Sequence, residues 1–125
     1  AEDGCLVITS LQTVDSVSTL EYLINMYPMD KKNYIRTRLG NVLQGIVSQR
    51  LIPSTAENKS VLAMEIMLAN QAIRNLILEN KIHQIPAMIK ASKALGMITM
   101  EDSINELYSK GLITKQNALN LIRDI

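Results

Sequence analysis

Tryptophan and phenylalanine are missing from this 125-residue chain, and four tyrosines bring its aromatic content to only 3%. Surfaces that hold nucleic acid by stacking need aromatic platforms, so nucleic acid is not expected as a partner. Cysteine is nearly absent as well. Cys5 stands alone and can close neither an internal disulfide nor a structural zinc site, which takes about four protein ligands; a reducing, cytoplasmic setting fits that usage. An excess of one charge is also lacking: 13 Lys and Arg face 12 Asp and Glu, for a net charge of +1, too little to recruit anionic partners without clustering. No uninterrupted apolar run approaches the ~18 residues of a membrane span, and the basic-then-apolar order of a signal peptide is missing.

The absences extend to chemistry. No Gly-x-x-x-x-Gly-Lys-Ser/Thr stretch offers the amides and lysine of a phosphate loop. No predicted strand ends in an acidic magnesium ligand, since the three end in Ser10, Pro53 and Leu68. The only histidine, His83, is read as a solvated residue at a helix start, and no nucleophile elbow joins it to Cys5 or to a serine. No metal site is expected.

What the sequence does hold is apolar patterning, with 47% hydrophobic residues, enough to bury one sizeable core in one domain or part of one. It opens at Ala1 without an initiator methionine and runs quickly into Leu6-Val7-Ile8, an order that reads as a cut. Cys5 to Ser10, β-branched and introduced by Gly4, is predicted as a buried strand. Gln12 and Thr13 then fall just past its carboxyl end, where ligands bind in open α/β sheets. Asp15 is a candidate N-cap for a helix carrying Val17, Leu20, Leu23 and Ile24, stopped by Tyr27-Pro28. Ile35, Leu39, Val42, Leu43, Ile46 and Val47 then predict a helix of about four turns from near Asp30, with Arg36, Arg38, Asn41 and Gln44 on its solvated face.

Leu51-Ile52-Pro53 and Val61 to Leu68 flank the turn formers 54–60 and predict a hairpin. In its second strand Leu62, Met64, Ile66 and Leu68 face one way and Glu65 the other. Four short helices follow: Gln71 to Glu79, Ile85 to Ala94, Met100 to Lys110 and Lys115 to Arg123. Asn70, Thr99 and Thr114 suit N-caps, Thr99 with Asp102 approximates a capping box, Pro86 suits a first turn, and Gly96 and Gly111 suit C-terminal caps. Arg74 and Asn75 are read as an exposed helix surface. The seven methionines are read mostly as packing or turn residues. The expected fold is therefore a small α/β unit followed by a helical bundle.

The order of residues resembles the segment after the Walker B strand in twitching-motility (PilT-type) secretion ATPases. Gly4-Cys5-Leu6-Val7-Ile8-Thr9-Ser10-Leu11-Gln12-Thr13 is similar to the family's strand and histidine box. Tyr27-Pro28, Arg36, Leu39, Leu43-Gln44 and Gln49-Arg50-Leu51 fall on its next motifs. Ala72-Ile73-Arg74-Asn75-Leu76-Ile77 is identical to the AIRNLI signature of retraction motors, and Gly96-Met97 with Thr99 and Gly111-Leu112-Ile113 resemble its closing pattern.

The resemblance implies the later part of a RecA-like P-loop ATPase core over residues 1–69 and a C-terminal helical bundle over 70–125. It further implies ATP and magnesium in the full-length parent, with none expected for this chain alone. The parent would work as a cytoplasmic homo-hexamer, peripheral at the inner membrane, acting on the pilus platform protein. Gln12, where the family has histidine, becomes a γ-phosphate sensor that keeps an amide donor but loses the titratable ring, and Thr13 a cofactor-binding residue. Residues 72–77 take a motor-coupling role, and Glu65 matches an acidic position expected to serve structural hydrogen bonding or an ion pair. The missing cysteines of the extension branch's zinc insertion favour retraction. Alternatives are an interaction module derived from such an ATPase, or part of a related secretion or DNA-uptake ATPase.

Overall fold

The computed structural model describes residues 1–123. Helix α1 (Ser16–Asn25) begins where the sequence indicates: the Asp15 carboxylate accepts from the Ser18 amide, and the Ser18 side chain returns a bond to the Asp15 amide. A 3₁₀ turn, Met29–Lys31, follows Pro28 and leads into α2 (Lys32–Val42). The paired strands β1 (Gly45–Pro53) and β2 (Ser60–Leu68) come next, antiparallel, with Val47 opposite Ile66 and Arg50 opposite Ala63. Four helices complete the described chain: α3 (Gln71–Leu78), α4 (Ile85–Ala91), α5 (Met100–Ser109) and α6 (Lys115–Arg123).

Two expectations fail. The predicted helix over Ile35 to Val47 stops at Val42, because Ile46 and Val47 pair with Met67 and Ile66 as strand. Tertiary pairing of β-branched residues overrides a helical spacing that happens to continue. The predicted buried strand at Cys5 to Ser10 does not form: these residues are exposed, Ile8 at 86%. A strand exists only against a hydrogen-bonded neighbour, and among the described residues no strand lies beside this one.

The capping signals fare better. Asn70 and Thr99 accept from the amides of Ile73 and Asp102, and Thr114 from that of Asn117. Gly96 and Gly111 take the left-handed conformation at φ 86° and 69°. Thr99 and Asp102 make only half a capping box. The Asp102 carboxylate lies 3.9 Å from Lys90 on α4 instead.

Two apolar clusters hold the chain together. Leu20, Met67, Ile73, Ile77, Ile85 and Ile89 build one, and Ile52, Ala63, Met100, Ile104, Ile113 and Ala118 the other. Each draws on residues from both sides of residue 69. Fully burying an aliphatic side chain of this size contributes about 1.5–3 kcal/mol. The helices cover the hairpin face that carries Ser48, Ile52, Ala63, Glu65 and Met67, all buried. The opposite face, with Val47, Leu51, Leu62 and Leu68, is open, Leu51 at 74%.

The hairpin is secured at both ends. At its base the Ala69 amide bonds the Gln44 carbonyl at 2.9 Å. At its tip the Thr55 amide reaches the Leu112 carbonyl at 3.0 Å, and its hydroxyl reaches that of Gly111 at 3.0 Å, in the turn between α5 and α6. Along β2 the Ile66 amide and carbonyl pair with Ile98.

Candidate functional site

Helix α3 carries the 72–77 motif. Asn70 caps its start, and Asn80, at φ 59°, closes its end, where the Lys81 amide bonds the Leu76 carbonyl at 2.8 Å. Ile73 and Ile77 are fully buried and Leu76 packs against the same cluster, while Ala72 is half-buried. Asn75 is exposed, and its Oδ1 accepts from the Gln71 side-chain Nε2 at 3.0 Å.

Arg74 departs from the exposed-surface reading. It is half-buried, and its Nη1 donates to the carbonyl oxygens of Gly40 and Asn41 at 2.6 and 2.9 Å. These carbonyls belong to the last turn of α2, whose orphan acceptors and negative dipole end attract a cation. The approach is close because Gly40 has no side chain: a Cβ there would lie 3.1 Å from Leu78. An isolated glycine inside an apolar helical pattern was the sequence signal for this junction. The carbonyls that Arg74 selects left no mark in the sequence.

The solvated face of α2 is partly engaged too. Arg36 donates to Asn33 at 2.7 Å, and Arg38 pairs with Glu2 and lies over the Tyr34 ring, 5.0 Å from its centroid.

Gln12 and Thr13 lie elsewhere, at the approach to α1. Gln12 is exposed. Thr13 Oγ1 lies 2.6 Å from Thr19 Oγ1, which itself donates to the Asp15 carbonyl at 2.7 Å. Thr13 is thus tied to the first turn of α1, while Arg74 is tied to the last turn of α2. His83 is exposed in the turn Ile82–Gln84, as its sequence setting indicates.

Glu65 is 5% exposed and serves structural hydrogen bonding, with no ion pair among the described residues. Its Oε1 accepts from the Ser16 amide at 2.8 Å and the Ser16 hydroxyl at 2.6 Å; its Oε2 accepts from the Met100 amide at 3.3 Å. Ser16 and Met100 open α1 and α5. A buried carboxylate satisfied by helix-start amides is electrostatically favourable.

The residues present do not by themselves fit ATP with magnesium. One cavity of about 200 Å³ is lined by the carboxylates of Asp15, Glu65 and Glu101 with only Lys90 to offset them. A second, of about 470 Å³, is lined by Glu2 and Asp3 with Arg38. The first lining carries more carboxylates than cations, which disfavours phosphate, and the second, where the Ala1 amino group joins Arg38, gathers no excess of cations for it. Among the described residues no cluster of three acidic, His or Cys side chains could hold a metal ion, and no helix is long and apolar enough to cross a membrane.

No protein-family model matches the chain. Individual relatives do. A twitching motility protein of Neisseria gonorrhoeae is 37% identical over 94% of this chain and 32% of its own length. A type IV pilus retraction ATPase, PilT, of Pseudomonas aeruginosa is 37% identical over 94% of this chain and 34% of its own. The crystal structure of the pilus retraction motor PilT with bound ADP superposes with a TM-score of 0.77 at 35% identity, covering 88% of this chain and 30% of that one. The chain spans about a third of the length of the curated relatives it matches. Agreement in sequence and in fold over nearly all of its residues places the chain in the twitching-motility, PilT-type family of secretion ATPases.

Proposed function

We propose that this chain is the force-transmitting segment of a hexameric, ATP-driven motor that retracts type IV pili, acting in the cytoplasm on a platform protein at the inner membrane. Residues 1–69 are the later part of its RecA-like core, and 70–125 its helical end. ATP and magnesium are held in the parent with residues outside this segment, Gln12 sensing the γ-phosphate and Thr13 fixing that position to α1. This chain alone does not turn over ATP.

The observation that carries the reading is the hold of Arg74 on the last carbonyls of α2. Helix α2 leads into the hairpin and α3 leads out of it. One guanidinium nitrogen, Nη1, donates to both carbonyls and so ties α3 to the end of α2. A displacement of α2 is therefore passed to α3 without slack, as a residue range with a motor-coupling role requires. The relatives' names, a twitching motility protein and a retraction ATPase, support the direction of the work.

Changing Arg74 or Asn75 to Ala in the full-length parent is expected to abolish retraction while pili still assemble; twitching at the normal rate in both variants would overturn the coupling role. For the isolated chain, phosphate release with ATP and magnesium above that of a Gln12→Ala control would overturn the claim that it is inactive alone.

A further inference from the structure

Alternation along β2 places Glu65 between Ala63 and Met67 on the face the helices cover. A carboxylate in such a layer is costly unless its oxygens are bonded. Both are, and to different helices: Oε1 to the opening residue of α1, Oε2 to the opening residue of α5. An ionised carboxylate accepts on both oxygens and donates on neither, whereas an amide of the same shape must turn an NH₂ group toward one set of donors. Glutamate is thus the side chain of this length able to hold both helix starts at once. The α1 start also carries Thr13, through its bond to Thr19, so the Gln12-Thr13 end of the chain and the α5–α6 pair meet at one side chain.

We infer that Glu65 is a positioning residue that couples the start of α1 to the start of α5, so that a displacement at Gln12-Thr13 reaches the C-terminal helix pair by a route separate from Arg74. The coupling stands on the geometry; only the identity of what displaces Gln12 rests on the motor reading above.

Amide hydrogen exchange in the whole chain, followed by NMR, tests the coupling. Asp15→Ala removes the cap of α1 and loosens its first turn, which is expected to raise exchange there about fivefold. The Met100 amide is expected to follow with a rise of about threefold or more, although its own helix keeps the Thr99 cap. In a Glu65→Gln background Asp15→Ala is expected to leave the Met100 amide unchanged. An unmoved Met100 amide in the otherwise native chain, or an equal rise in both backgrounds, overturns the inference. Should Glu65→Gln fail to fold, Ser16→Ala takes its place: it removes the hydroxyl bond and must reduce the transmitted rise at Met100, and a rise of undiminished size overturns the inference. A merely structural Glu65 would shift exchange everywhere by a common factor and would not distinguish the backgrounds. In the full-length parent, Glu65→Gln is expected to slow retraction several-fold with ATP hydrolysis retained. A parent without retraction activity would sink the motor reading and leave the exchange result standing.

Discussion

Arg74 and Glu65 answer the same electrostatic demand from opposite ends. Arg74 places a cation at the carboxyl end of α2, and Glu65 places an anion at the amino ends of α1 and α5. Burial separates them. Arg74 is half-buried, so water can replace part of what it gives, and the worth of such a contact stays within about 1–2 kcal/mol. Glu65 is only 5% exposed, so water is a poorer substitute for it. One rule of helix polarity yields a modest clamp at the surface and a stronger one inside.

The widest gap between the two clamps should appear on truncation. Glu65→Ala strands buried donors at about 1–3 kcal/mol each, and the melting temperature of the chain is expected to fall by at least about 10 °C; a fall of only a degree or two would show that water fills the site and would erase the distinction. Arg74→Ala is expected to cost about 1–2 kcal/mol in a denaturant titration, with Arg74→Lys recovering part of it because an ammonium keeps a cation at the helix end. Gly40→Ala sharpens the Arg74 side. The helix propensity it gains, up to about 1 kcal/mol, is set against the 3.1 Å approach to Leu78. The substitution should be near neutral alone and stabilising in a Leu78→Ala background, a difference that a double-mutant cycle reads directly. Asn75→Ala, at an exposed position, should move stability by less than about 0.5 kcal/mol. Loss of retraction in the parent at that small cost would mean that Asn75 is read by a partner and not by the fold.

Local chemistry was legible and long-range pairing was not. The helix starts at Asp15, Asn70 and Thr99 and the turns at Gly96 and Gly111 were all visible, because a cap is settled by residues three or four apart. Ile46 and Val47 misled because their spacing suits a helix while their partners, Met67 and Ile66, lie 21 and 19 residues away. Cys5 to Ser10 misled for the complementary reason: its composition is that of a strand, but composition supplies no neighbour. At the candidate site, the 72–77 stretch was found from its resemblance to a family, and the buried half of it followed from apolar spacing. That Arg74 turns back onto Gly40 and Asn41, and that Glu65 reaches Ser16 and Met100, depends on contacts spanning 33 to 49 positions. No window of helical or strand period contains them.

The two-ended attachment of the hairpin has a mechanical meaning. Nine residues of strand extend for about 30 Å, with the base held at Gln44 and Ala69 and the tip held at Gly111 and Leu112. A pair of strands bonded along its whole length resists bending, so it forms a stiff link between the α2–α3 end and the turn between α5 and α6. Over such a span a tilt of about 2° carries the tip by about 1 Å. Thr55 is the residue through which the tip is bonded to that turn, so a displacement of the hairpin meets the α5–α6 connection there first.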